Sequence, residues 1–185
     1  MERLGISALI MEDKKGLKKN SLLGTSVKQT QESIKNFSNK IKAVKLSQRD
    51  NDFMLISRIE SFILKNGIND ALKRAKSYIN AGTDGIMIHS KEKDPSEVFE
   101  FAKKFRKNFK DVPLICVPTS YNNVKEEELI KKGFNVVIYA NHLFRAAYPS
   151  MEFAAKSILK NGRSKEIDKK IISIKEILNL IPGTV

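Results

Sequence analysis

Groups able to do acid–base, anion-binding or metal chemistry stand at the ends of five short apolar runs. They are Glu12 and Asp13 after ISALIM, Arg58 and Glu60 in FMLISRIES, and His89 and Ser90 after DGIMI. Thr119 and Ser120 follow PLICVP, and Asn141 and His142 follow NVVIYA. Each has a plain structural alternative. Glu12-Asp13 reads equally as a strand ending in a solvated acidic turn. Arg58 reads as a buried ion pair with Glu60 or Glu12, His89 as a satisfied core histidine, and His142 as the start of a helix. Taken together, an arginine, a histidine, an asparagine and lysines on one rim describe a pocket for a phosphate or a carboxylate. A carboxylate such as Glu12 is costly among anion-binding groups unless a cation shares the site. Oxygen ligands with retained waters point to Mg2+.

The elements that must position these groups are legible. The five runs start near residues 6, 53, 84, 113 and 135, and they are apolar without strict alternation, as expected of strands buried on both faces. Amphipathic helical patterns lie between them. Ile34, Phe37, Ile41 and Val44 share one face; Ala71, Leu72, Ala75, Tyr78 and Ile79 another; Val98, Ala102, Phe105 and Phe109 a third. Asn69 is read as an N-cap and Gly82 as a C-terminal stop. Asp94-Pro95 has the N-cap and N1 pattern, and Gly133 ends VKEEELIKK. Apolar strand and amphipathic helix alternate as in a parallel βα repeat. After the fifth run, Asn141 to Leu159 is apolar enough to be largely buried. A C-terminal helix over residues 164–181 carries Ile167, Ile171, Ile174, Leu178 and Ile181 as a stripe that covers this subunit or a neighbour.

An eight-stranded barrel takes about 250 residues, and the chain has 185. It opens on MERLG, which reads as a helix end. The expected fold is therefore α/β, a partial (β/α)8 TIM-type barrel of about five βα units, as a single domain over 1–185. The first three units of such a barrel have no counterpart. An open five-stranded sheet of flavodoxin type is the alternative, although a Gly-rich phosphate-binding first turn is lacking.

Bulk composition narrows the partners. With 41% hydrophobic and 30% charged residues this is an ordinary globular composition, and no apolar run approaches the length of a membrane helix. A secretory signal is not evident. The lone Cys116 sits in LICV and reads as a small core residue, consistent with a reducing cytoplasm. The net charge of +13 comes from lysines scattered among Glu and Asp. That reads as solvated helix faces and an anionic small substrate rather than nucleic-acid binding.

Several stretches carry a resemblance. MEDKKGLKKNSL, KIKAVKLSQRDNDFMLISRIESFI, GINDALKRAKSYINAGTDGIMIHSKEKDPSEV, VPTSY and VIYANHLFRAA run in family order to about Ile181. In them the chain resembles the phosphoenolpyruvate mutase family of the isocitrate lyase superfamily. The resemblance implies that Glu12 holds Mg2+ through water and that Lys14 to Leu22 is a gating loop. Lys18, Asn20, Ser21 and Leu22 stand at the family's Lys-x-Asn-Ser-Leu positions, with Asn20 contacting the migrating phosphoryl group. Arg58 and His89 match the arginine and histidine that hold that group. The implied reaction moves a phosphoryl group from the enolate oxygen of phosphoenolpyruvate to carbon, giving phosphonopyruvate, in phosphonate biosynthesis. The last family helix packs on a neighbouring subunit, so a homo-oligomer is implied. Related phosphonopyruvate hydrolases have threonine where Asn20 stands, and lyases of the superfamily carry a cysteine motif in this loop that is not found here. The aspartates of the family's N-terminal strands have no match, so the chain alone is expected to have little or no mutase activity. A hydrolase or carbon–carbon lyase on the same scaffold, and a non-catalytic assembly fragment, are the alternatives.

Overall fold

The protein is described by a computed structural model, which covers residues 1–17, 19–181 and 183. It divides into two compact units, residues 1–140 and 141–185.

The first unit holds strands β1 (Ala8–Glu12), β2 (Lys14–Lys15) and β3 (Thr30–Gln31), helix α1 (Ile34–Ser47), β4 (Met54–Ile59) and α2 (Gly67–Asn80). It continues through β5 (Gly85–Ile88), α3 (Ser96–Arg106), β6 (Leu114–Cys116), α4 (Glu126–Lys131) and β7 (Val136–Val137). All five expected apolar runs form one parallel sheet, in the order β1-β4-β5-β6-β7. Strand neighbours are thus chain neighbours, as successive βα units require.

Strand alternation sorts the side chains onto two faces. Leu55, Ile59, Ile86, Ile88, Leu114 and Cys116 join the large cluster with Phe37, Tyr78, Phe101 and Phe105 from the helices. Ile56, Met87, Ile115 and Val117 form a smaller cluster apart from it. Arg58 follows the parity of Ile56, and His89 that of Met87. Both are therefore delivered to the face away from the helices, at the C-terminal ends of β4 and β5.

β2 and β3 form an antiparallel two-residue ladder, Lys14 with Gln31 and Lys15 with Thr30. The sequence pattern does not predict it. The ladder pins both stems of the intervening segment, in which 3-10 turns span Ser21–Ser26.

Helix boundaries differ locally from expectation. α2 starts at Gly67, two residues before the expected cap Asn69. Gly67 adopts φ 77° after Lys65 at φ 58°, and this turn lets Asp70 enter the first helical turn, where a carboxylate is favourable. Gly82 at φ 105° follows α2 as its stop. α3 takes Pro95 rather than the expected Asp94 as its N-cap, and Asp94, one residue earlier, accepts the Ser96 N–H on its carboxylate at 3.0 Å in a local turn.

The second unit holds α5 (His142–Asn161), a 3-10 turn (Asp168–Lys170) and α6 (Ile174–Leu178). The continuous helix expected over 164–181 is instead this turn and a five-residue helix. Ser173 starts α6 with a capping box: its hydroxyl accepts the Glu176 N–H, and Glu176 returns to the Ser173 N–H. That cap fixes a new start and so breaks the longer helix. α5 has no buried residue, contrary to expectation, and Leu143, Phe144, Tyr148 and Met151 are exposed. No described helix is long and apolar enough to cross a membrane.

Candidate functional site

The C-terminal ends of β1, β4 and β5 bring Glu12, Arg58, Glu60 and His89 together. Register does much of this, because Glu12 pairs with Arg58 and Arg58 with Met87 across adjacent strands. Arg58 Nε donates to Glu60 Oε1 at 2.7 Å, and Arg58 Nη1 lies 3.8 Å from Glu12 Oε2. The ion pairs weighed as an alternative for Arg58 are thus both present. Arg58 Nη2 lies 2.8 Å from His89 Nδ1, which in turn lies 3.2 Å from Glu60 Oε1.

Among the described residues, the loop reaches into this cluster through two. Lys14 Nζ sits between Glu12 Oε1 at 3.0 Å and Glu60 Oε2 at 2.9 Å. Ser21 Oγ donates to Glu60 Oε2 at 2.6 Å and accepts from Lys14 at 2.8 Å and from Arg58 Nη2 at 2.7 Å. Burial by itself raises the Glu60 carboxyl. The hydrogen bond with His89, the charges of Arg58 and His89 and the Ser21 hydroxyl outweigh it and hold Glu60 well below the usual carboxylate range.

Asn20 and Leu22 stand apart from these contacts. Asn20 is exposed, and its Oδ1 accepts the Leu22 N–H at 2.9 Å, capping the 3-10 turn. The Leu22 side chain is half-exposed. Lys18 lies outside the described residues.

A second polar network lies directly behind the first. Asp13 is fully buried, although Glu12 beside it is not. Asp13 Oδ2 accepts from Tyr78 OH at 2.8 Å, Gln31 Nε2 at 2.9 Å and Arg74 Nη1 at 3.2 Å, while Oδ1 accepts the Glu60 N–H at 3.0 Å. Burial pushes its carboxyl up to about 6 against the lowering effect of these partners. The sequence alone does not show Glu60, Asp13, Arg74 and Tyr78 as one system. It places Tyr78 only on an apolar helix face, and the partner Asp13 lies 65 residues away in sequence. Arg74 four residues before Tyr78, on the same helical stripe, is the signal that could have shown a polar seam in that face.

Further along the same sheet edge, Lys91, Lys93, Thr119, Ser120, Asn122 and Asn123 line an open cavity of about 540 Å³. It collects the ends of β5 and β6.

Among the described residues no three His, Cys, Asp or Glu side chains form a group able to hold a metal. The chain's own residues do not fit a Mg2+ site. Glu12 and Glu60 are carboxylates of this cluster, and the Lys14 ammonium already lies 3.0 Å and 2.9 Å from them.

A parallel α/β sheet whose strand ends gather an arginine, a histidine and a serine-bearing loop is an architecture of the (β/α)8 barrel class. The sequence model of the phosphoenolpyruvate phosphomutase family matches residues 1–159. The chain belongs to that family. It is 39% identical over 180 residues to phosphoenolpyruvate phosphomutase of Tetrahymena pyriformis, covering 97% of this chain and 59% of that one. The crystal structure of phosphoenolpyruvate phosphomutase from Streptomyces platensis subsp. rosaceus superposes with a TM-score of 0.88 at 35% identity, covering 97% of this chain and 61% of that one. A phosphonopyruvate hydrolase in complex with oxalate and Mg2+ superposes with a TM-score of 0.81 at 34% identity, covering 97% and 60%. The chain thus spans about 60% of the length of the relatives it matches.

Proposed function

We propose that this chain carries the phosphoryl-holding half of a phosphoenolpyruvate mutase-type site. The observation that carries the reading is the contact of Arg58 with His89, 2.8 Å apart, beneath a loop that reaches Arg58 through Ser21. In the proposed reaction the bond from phosphorus to the enolate oxygen breaks and a bond from phosphorus to carbon forms, giving phosphonopyruvate. Arg58 offers its Nη1 donors, with Nε and Nη2 held by Glu60, Ser21 and His89, and His89 offers a ring N–H to the equatorial oxygens of the moving group. The loop from Lys14 to Leu22, with Lys18 and Asn20, closes over it and excludes water, which would otherwise capture the phosphoryl group. The hydrolase relative contains Mg2+, and Glu12 could receive one water of a hydrated Mg2+ ion. Glu12 alone, with Lys14 Nζ 3.0 Å away, does not make a site for that ion.

Phosphonopyruvate hydrolysis is the second reading, and the likeness to the hydrolase supports it. Asn20 favours the mutase, since the resembling hydrolases carry threonine there. Exposed Leu143, Phe144, Tyr148 and Ile174 support self-association, and the free, buried Cys116 supports a reducing cytoplasm as the setting.

Phosphorus NMR of phosphonopyruvate mixed with the protein tests the reading. Broadening of the phosphonate resonance, lost in Arg58→Ala, is expected, with only trace conversion to phosphoenolpyruvate. Steady release of inorganic phosphate would favour the hydrolase, and no broadening at all would remove the phosphoryl site. In Asn20→Thr, any trace product should shift from phosphoenolpyruvate toward inorganic phosphate and pyruvate. Light scattering reports the association, which an exclusively monomeric protein would refute.

A further inference from the structure

The geometry points to Glu60 as a positioning residue that ties the loop and the arginine–histidine pair to a single carboxylate. This rests on the reading of the loop as a lid over a phosphoryl pocket.

Glu60 is fully buried, and its two oxygens serve different parts of the molecule. Oε1 receives Arg58 Nε at 2.7 Å and lies 3.2 Å from His89 Nδ1. Oε2 receives Ser21 Oγ at 2.6 Å and Lys14 Nζ at 2.9 Å. One oxygen therefore holds Arg58, and through it His89, the residues assigned to the phosphoryl group. The other holds the loop.

The bonds around Ser21 have only one consistent direction. A hydroxyl has one proton and two lone pairs. Lys14 and Arg58 can only donate and an ionised Glu60 can only accept, so the serine proton goes to Glu60 and both lone pairs are filled. Its hydrogen-bonding capacity is spent on the closed arrangement, and opening the loop forfeits all three bonds.

The same carboxylate reaches His89 through Arg58. Arg58 Nη2 can only donate, so in the neutral ring the 2.8 Å contact makes His89 Nδ1 an acceptor and leaves the proton on Nε2, whereas only a protonated ring gives Nδ1–H to Glu60 Oε1 at 3.2 Å. Glu60 fixes the Arg58 plane through Nε, and the plane fixes where Nη2 points. The His89 tautomer is thus set one residue away, as a partner behind a working histidine commonly does.

Two measurements on the whole chain test this, and neither needs turnover. Mass spectrometry follows amide hydrogen exchange in residues 14–26. Nitrogen NMR at about pH 8 reports the His89 tautomer. The sequence has two histidines, so His142→Gln assigns the signal. Glu60→Gln has one acceptor oxygen and cannot serve both sides. It should speed lid exchange about tenfold and move the His89 nitrogens from single-tautomer values toward those of a mixture. Ser21→Ala should speed lid exchange about fivefold and leave the tautomer in place. The inference is overturned if Glu60→Gln changes one readout alone or neither, or if Ser21→Ala leaves lid exchange unchanged. Should Glu60→Gln not fold by circular dichroism, Ser21→Ala decides: faster exchange with an intact tautomer supports the link, and any other result refutes it. A finding of hydrolysis, or of no phosphonate binding, would overturn the mutase reading while leaving these two readouts standing.

Discussion

Glu60 and Asp13 are both carboxylates with no exposed surface, and the backbone N–H of one donates to the side chain of the other. Their acidities nevertheless move in opposite directions. Glu60 faces Arg58, Lys14 and His89, and it lies below the usual range. Asp13 faces one guanidinium, a phenol and an amide, and burial wins, pushing it up to about 6. Burial raises both, and the charges and hydrogen bonds around each carboxylate decide the outcome. The division also separates roles. The cation-rich carboxylate faces the rim where an anion would bind, and the cation-poor one fastens the stem of the loop to α2.

The comparison breaks most sharply at Arg74. Arg74→Leu leaves Asp13 without its guanidinium, and we expect a loss of about 3–5 kcal/mol in urea unfolding. A loss under about 1 kcal/mol would mean that the phenol and amide suffice. Tyr78→Phe removes one donor from the same carboxylate and should cost about 1–3 kcal/mol, with the Asp13 pKa rising further by carbon NMR. The Tyr78 hydroxyl is itself pushed above its ordinary range by burial and by the adjacent Asp13 charge.

Acid titration contrasts the two groups directly. Asp13 has a folded pKa of about 6 against an ordinary 3.8, so between those values the folded protein binds more protons than the unfolded one. Its contribution to stability therefore falls as pH rises from about 4 to about 6. The folded Glu60 pKa lies below its ordinary 4.5, so its contribution is complete above that value and is lost as pH falls beneath it. The urea midpoint should decline between about pH 4.5, above the Glu60 range, and about 6, and this decline should vanish in Asp13→Asn. A decline that persists in the variant would belong to other groups. The smallest effect is expected at Gly24, at φ 52°, where an added Cβ would meet the Lys91 ammonium end. The lysine end can move aside, so Gly24→Ala should cost about 1 kcal/mol, chiefly from the backbone. A thermal melt unchanged from the parent would mean that the turn relaxes.

The sheet was legible because each strand is a short apolar run closed by polar residues, and α1 to α3 because their apolar positions recur at helical spacing. Arg58, His89 and Glu12 could be picked out as charged or titratable groups at the ends of those runs. The Asp13–Arg74–Tyr78 system was not legible, since its members touch only after β1 and α2 have packed. The β2–β3 ladder is two residues long on each side, too short for any alternation to register. The C-terminal stripe misled because isoleucines at three- and four-residue spacing do not exclude a cap at Ser173, and the cap won.

The ladder that joins Lys14–Lys15 to Thr30–Gln31 has a consequence for engineering. Both feet of the loop are fastened beside the sheet: the Glu32 N–H donates to the Asp13 carbonyl at 2.8 Å, and Asp13 N–H donates to the Arg58 carbonyl at 3.0 Å. The stretch from Gly16 to Gln29 is thereby a cartridge, with its sockets in the barrel and its contents replaceable. Loop-closure entropy changes slowly with length when the ends are already held, so segments of different length and sequence can be seated without redesigning the sheet.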